Sequence, residues 1–119
     1  MEDIYESGEM YLETILLLQK SKGTVRSVDI VNDLGYAKSS VSRGINILKS
    51  KGFIVVAEDG AITFTETGLS RAQEIYERHK ILAAYLQKIG VKRETAEADA
   101  CRMEHVISKE TFEIIKKQL

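Results

Sequence analysis

Apolar residues recur close to helical period at Ile4, Met10, Tyr11, Ile15, Leu16 and Leu18, which predicts a long first helix that stops at Gly23. A shorter stretch, 25–35, carries Val28, Ile30, Val31 and Leu34 on its expected inner side and closes at Gly35. After a tight turn, residues 38–52 repeat the pattern, with Val41, Ile45 and Leu48 inward and Gly52 as the stop. The period then changes. Residues 53–65 are β-branched and aromatic on both sides of Asp59-Gly60, a strong short hairpin signal. Helical spacing resumes from Glu66 and runs over 69–90 to Gly90. Two shorter helices follow, at about 94–107 and 109–118, divided near Ser108, a good N-cap residue. The chain has no proline, so long uninterrupted helices are allowed. The fold class is therefore mainly α with a small β-hairpin wing.

Helix, helix, turn, helix, hairpin is the order of a winged helix-turn-helix, in which the second helix of the pair enters the major groove of DNA. That assigns residues 1–70 to a DNA-binding domain and 71–119 to a helical second domain. The expected outer face of the third helix is Lys38, Ser39, Ser40, Ser42, Arg43, Asn46 and Lys49. Hydroxyls and an amide suit base edges and phosphates, while Arg and Lys suit guanine or phosphate oxygens. Arg26 is added as a further DNA contact, and Gly44 with the serines is expected to let the backbone come close to the duplex. An ordinary polar helix surface would carry similar residues.

Charge sharpens this picture only through its distribution. The 119 residues carry a net charge of −1. Residues 1–19 hold five acids and no base, whereas residues 20–51 hold seven bases against Asp29 and Asp33. A basic block inside an acidic chain is a local electrostatic footprint for nucleic acid. No apolar run approaches the roughly 18 residues of a membrane span, and the acidic N-terminus lacks the features of a signal peptide. With one cysteine, the fold is not disulfide-stapled, and a reducing cytoplasm is expected.

That cysteine lies in ACRMEHVIS, residues 100–108. On a helix, Cys101, Glu104 and His105 share one face. The other histidine, His79, falls on the long helix, an antiparallel neighbour of the 94–107 helix if Gly90 makes the turn. Met10 and Glu13 share a face of the first helix. Thioether, thiol, carboxylate and imidazole together suit a first-row divalent metal: iron(II), with manganese, cobalt, nickel or zinc as alternatives. Each residue also has a plainer reading, as core methionine, small buried cysteine or solvated Glu-His pair. A Cys101–His105 nucleophile is disfavoured, because mid-helix N–H groups are already bonded and cannot form an oxyanion hole. No enzymatic activity and no small-molecule substrate are expected.

The segments EMYLETI (9–15), RH (78–79) and CRMEHVIS (101–108) resemble the diphtheria toxin repressor family of metal-dependent regulators, which includes iron-dependent repressors and manganese transport regulators. The resemblance covers nearly the whole chain. It implies a metal-dependent DNA-binding regulator of metal-ion homeostasis genes, acting as a repressor. It also implies that Met10, Cys101, Glu104 and His105 form a primary site of the iron type and that His79 belongs to a second site nearby. Where iron-type members carry a second-site glutamate and histidine, this chain has Ala83 and Glu97. Glu13 matches the manganese type. A second site using Glu13 and His79, with Glu104 or Glu97, is the alternative. The SH3-like domain of the larger iron repressors is not expected here.

Ligands on the first helix and on the 94–107 helix would let a metal fix the DNA-binding part against the second part. Without metal, the acidic turn of Glu2, Asp3, Glu6 and Glu9 is expected to repel and fray. Ile81, Leu82, Tyr85, Leu86, Val106, Ile107, Phe112, Ile114 and Ile115 offer more apolar surface than three short helices bury alone, which implies a homodimer. A dimer on a pseudo-palindromic operator needs its recognition helices about 34 Å apart, or a multiple. The rival reading is a winged-helix regulator that senses a small organic ligand, or none.

Overall fold

The computed structural model describes residues 6–119, with side chains from residue 8 onward. Ile4, Glu2 and Asp3 lie outside the described residues, as does the side chain of Glu6. The chain forms α1 (Glu6–Lys22), α2 (Ser27–Leu34), α3 (Lys38–Ser50), β1 (Ile54–Val56), β2 (Ile62–Phe64), α4 (Glu66–Lys88), α5 (Arg93–Met103) and α6 (Lys109–Lys117). It divides into two compact units, Met1–Gln73 and Glu74–Leu119. Among the described residues no helix is long and apolar enough to cross a membrane.

The first unit is a winged helix-turn-helix. Its core is Tyr11, Leu12, Ile15 and Leu16 from α1, Ile30 from α2, and Val41, Ile45 and Leu48 from α3. Val25, Phe53, Ile54 and Ile62 add to it from the loops and strands. The inward stripe of α3 is the one its spacing predicts. On α2 the expected stripe is narrower: Ile30 is buried, but Val28 faces out, 51% exposed. An eight-residue helix covers its neighbours with barely one side chain per turn, so the pattern alone overstates its apolar face. Gly35, at φ +72°, takes the left-handed conformation that ends α2 and starts the turn.

The wing is an antiparallel pair with Ile54 opposite Phe64, Val55 opposite Thr63 and Val56 opposite Ile62. Ile62 N donates to Val25 O at 2.8 Å, so the loop before α2 pairs with the wing's inner strand. The Asp59-Gly60 tip turns as expected: Gly60 has φ +87°, and Asp59 Oδ1 accepts from Ala61 N at 3.0 Å. Thr65 Oγ1 accepts from Gly68 N at 3.0 Å and so caps α4.

The second unit packs Leu82 and Ala83 of α4 against Ala100 of α5 and Phe112 of α6, with Ile81, Met103, Ile107 and Ile115 half-buried around them. Ala83 is thus a core residue. Ser108 caps α6, its Oγ accepting from Thr111 N at 3.1 Å. Arg78 ties the α5–α6 connection to α4: its Nη2 donates to Ile107 O at 3.2 Å, and its guanidinium lies 5.4 Å from the Phe112 ring centre.

α5 ends at Met103, four residues before the expected boundary. Ser108 needs extended backbone, with ψ 159°, to cap the next helix. The chain must leave the helix before it. His105 N and Val106 N accordingly donate to carbonyls three residues back, Arg102 O and Met103 O, in a tightened turn. Of the apolar residues counted towards a surplus, Leu82 and Phe112 are buried within the unit, while Val106 and Ile114 stand exposed.

Candidate metal centre and nucleic-acid interface

On α3, the side chains of Lys38, Ser39, Ser42, Arg43, Asn46 and Lys49 are exposed on the outward face. Ser40 is half-buried, and its carbonyl accepts from Tyr11 Oη at 3.4 Å. Ile47 stands beside the polar set, 53% exposed, a position the apolar pattern of α3 does not single out. Gly44 faces α1. A Cβ there would lie 2.1 Å from Tyr11 Cε2, so the missing side chain makes room for α1. Arg26 is engaged within the unit as well. Its Nε donates to Asp59 O at 3.1 Å and its Nη2 pairs with Asp59 Oδ2 at 3.2 Å, bracing the wing tip. The Asp59 carboxyl is held below the usual carboxylate range by the Ala61 N–H and by Arg26.

On α1, Met10 is half-buried and Glu13 is buried, one helical turn apart. Thr14 Oγ1 donates to Met10 O at 2.8 Å, and Tyr36 Oη donates to Met10 Sδ at 3.2 Å. Of the acidic turn, Glu9 is buried and pairs with Arg71 at 3.0 Å, while the other acids lie outside the described side chains. Nothing in the local pattern points to that partner, 62 residues away.

In the second unit, His79 of α4 meets α5. Its Nε2 donates to Glu97 Oε2 at 2.8 Å, and its Nδ1 lies 3.1 Å from Glu104 Oε2. His105 Nε2 lies 3.2 Å from Glu104 Oε1. The His105 side chain is fully buried, and Glu104 is only 1% exposed. Cys101 is half-buried, with Sγ within 4.8 Å of a Glu104 oxygen. The structure therefore brings His79, Glu97, Cys101, Glu104 and His105 together.

The cluster gathers donors that could hold a cation. A carboxylate only accepts, so the bond to Glu97 places the His79 proton on Nε2. In the neutral ring Nδ1 then carries a lone pair, and that lone pair faces Glu104. Neither buried oxygen of Glu104 accepts a hydrogen bond from any described residue, although two imidazole nitrogens stand within 3.2 Å. A buried carboxylate in that condition is costly unless a positive charge compensates it. A metal ion needs lone pairs converging on a point away from the line between them. Imidazole and carboxylate donors fit a divalent first-row metal, and the contact with Glu97 holds the His79 ring from its Nε2 side.

Residues 3–62 match the family described as iron dependent repressor, N-terminal DNA binding domain, and residues 65–119 match iron dependent repressor, metal binding and dimerisation domain. The chain belongs to the iron-dependent repressor family. Within this family, it is 37% identical over 103 residues to the transcriptional regulator MntR of Salmonella typhimurium, covering 87% of this chain and 66% of that protein. It is 31% identical over 120 residues to the diphtheria toxin repressor of Corynebacterium diphtheriae, covering 100% of this chain and 53% of that one. A solved manganese-dependent transcriptional repressor in complex with manganese superposes with a TM-score of 0.85 at 25% identity, over 93% of this chain and 51% of that one. The chain thus spans about two thirds of the first relative and about half of the other two.

Proposed function

We propose that this chain is a metal-activated, DNA-binding repressor of metal-ion homeostasis genes, acting in the cytoplasm as a homodimer. The observation that carries this is the buried Glu104 carboxylate, facing His79 Nδ1 and His105 Nε2 without a hydrogen bond. Met10, Cys101, Glu104 and His105 are proposed as one ligand set, with Glu13 and His79 completing a second position. Glu97 orients His79 from the side opposite the metal. A bound divalent metal supplies the positive charge that this carboxylate lacks.

Iron(II) is the proposed activator, on the strength of the sulfur donors Met10 and Cys101, and manganese(II) is next. Cobalt, nickel and zinc are proposed substitutes. The similar manganese-dependent transcriptional repressor, solved with manganese, supports manganese, and the MntR and diphtheria toxin repressor relatives support the regulatory role. Lys38, Ser39, Ser42, Arg43, Asn46 and Lys49 read and grip the operator from α3, and Arg26 contributes by holding the wing. The exposed Val106 and Ile114 provide apolar surface for self-association.

The test is DNA binding across a panel of divalent metals under anaerobic conditions. The duplex is first selected from a random pool by the metal-loaded protein. Tight binding with iron(II) or manganese(II), abolished by chelator, is expected. Operator affinity indifferent to every metal and to chelator would refute the function.

A further inference from the structure

The turn between α2 and α3 reaches one of the proposed ligands. Gly35 reverses the chain after α2, and Tyr36 follows it. The Tyr36 phenol donates to Met10 Sδ at 3.2 Å. The Tyr36 ring meets Tyr11 edge-on, with centroids 6.2 Å apart and planes at 81°. Tyr11 is buried, its hydroxyl donates to Ser40 O at 3.4 Å, and its ring fills the space left open by Gly44. These contacts all lie within the first unit. They run without a break from the thioether of Met10 to the first half of α3, the helix that carries the DNA-reading residues.

We propose that Tyr36 is a positioning residue that carries metal binding at Met10 to the recognition helix. A thioether sulfur has two lone pairs. The phenol takes one, and the bond turns the side chain so that the other is offered to a metal. A metal that fixes the sulfur therefore also fixes Tyr36, and with it the edge contact to Tyr11 and the register of Ser40 and Gly44. The sequence holds the complement of this device: a glycine in the middle of α3, where it costs stability, leaves the room that the Tyr11 ring from α1 occupies. The inference rests on Met10 being a metal ligand, as proposed above.

The test is a double-variant cycle on the full chain, read by fluorescence anisotropy with a duplex selected by the manganese-loaded wild type. Each Kd is measured in manganese(II) chloride and in EDTA. The readout is the ratio of the two, in which a general effect of the substitution on folding or DNA contact cancels. Tyr36→Phe keeps the ring and its packing and removes only the O–H donor. The ratio is expected to shrink by about two- to tenfold, the worth of one net hydrogen bond. Met10→Leu is expected to shrink it further, and adding Tyr36→Phe to Met10→Leu to change it no more. Calorimetric titration with manganese should show weaker binding in Tyr36→Phe, but no added loss in the Met10→Leu background. An unchanged ratio in Tyr36→Phe, or losses that multiply in the double variant, overturns the role of Tyr36 and leaves metal activation standing. A wild-type ratio of one overturns metal activation itself, and this inference with it.

Discussion

Replacing Glu104 with glutamine separates a metal ligand from a structural acid. The side chain is 1% exposed, and neither of its oxygens accepts a hydrogen bond. In metal-free protein the substitution exchanges a buried charge for a neutral amide, whose N–H can reach an imidazole nitrogen at close to the present 3.1 or 3.2 Å. A buried unsatisfied group costs about 1–3 kcal/mol, so the variant should be as stable as wild type in EDTA, or more stable by about 1–2 kcal/mol. Metal reverses the comparison. At 100 times its Kd, a ligand that binds only the folded state adds about 2.7 kcal/mol. Losing even an outer partner of a metal ligand typically weakens binding 10- to 100-fold. Losing the ligand itself should do at least as much. At the same manganese concentration the increment would then fall to about 0.4–1.4 kcal/mol or less. Urea unfolding followed by helical circular dichroism, with and without manganese(II), measures both increments. A Glu104→Gln protein that is destabilised in EDTA and gains as much from manganese as wild type would refute the reasoning. Glu104 would then be a member of a structural ion network.

Other consequences are simpler. Gly44→Ala places a methyl 2.1 Å from the Tyr11 ring and should cost about 1–3 kcal/mol in thermal unfolding, with relief in Gly44→Ala/Tyr11→Leu. Asp29 has its pKa lowered, first by the Lys22 side-chain hydrogen bond and then by the Arg26 N–H. Its stabilisation is therefore full above the usual carboxylate pKa near 4 and is lost as pH falls through the lowered value. Asp29→Asn should cost about 0.5–1 kcal/mol at pH 7, and that difference should vanish in strong acid; a pH-independent difference would contradict the pairing. Lys49→Ala should lower the slope of log affinity against log salt by about 1, with little change in sequence preference.

Much of the first unit is legible in the sequence, because local signals there agree with the final packing. Val41, Ile45 and Leu48 are spaced for one face and are buried on one face. Asp59-Gly60 requires the turn it makes. The histidine on α4 and the carboxylate on α5 meet across Gly90 because a glycine at φ +108° lets the two helices fold back. What the sequence hides is mostly long-range. Gly44 reads as an opening towards DNA until Tyr11, 33 positions earlier, is found in the gap. Arg26 reads as a free cation until the wing tip supplies Asp59. The early end of α5 has no glycine or proline to mark it. It follows from the cap at Ser108, whose demand for extended backbone works backwards along the chain. Glu97 is a candidate ligand by its place on the helix, and the sequence does not show that it meets His79 Nε2 at 2.8 Å.

Glu104 is the proposed metal ligand on which both positions turn, beside His105 in one ligand set and His79 in the other. Anomalous diffraction at the manganese edge, from crystals of the full chain grown with manganese(II), tests it most directly. The account predicts a peak about 2.0–2.3 Å from a Glu104 oxygen and from at least one of His79 Nδ1 and His105 Nε2. Manganese bound only elsewhere, with Glu104 still facing both imidazoles at hydrogen-bonding distance, would contradict it.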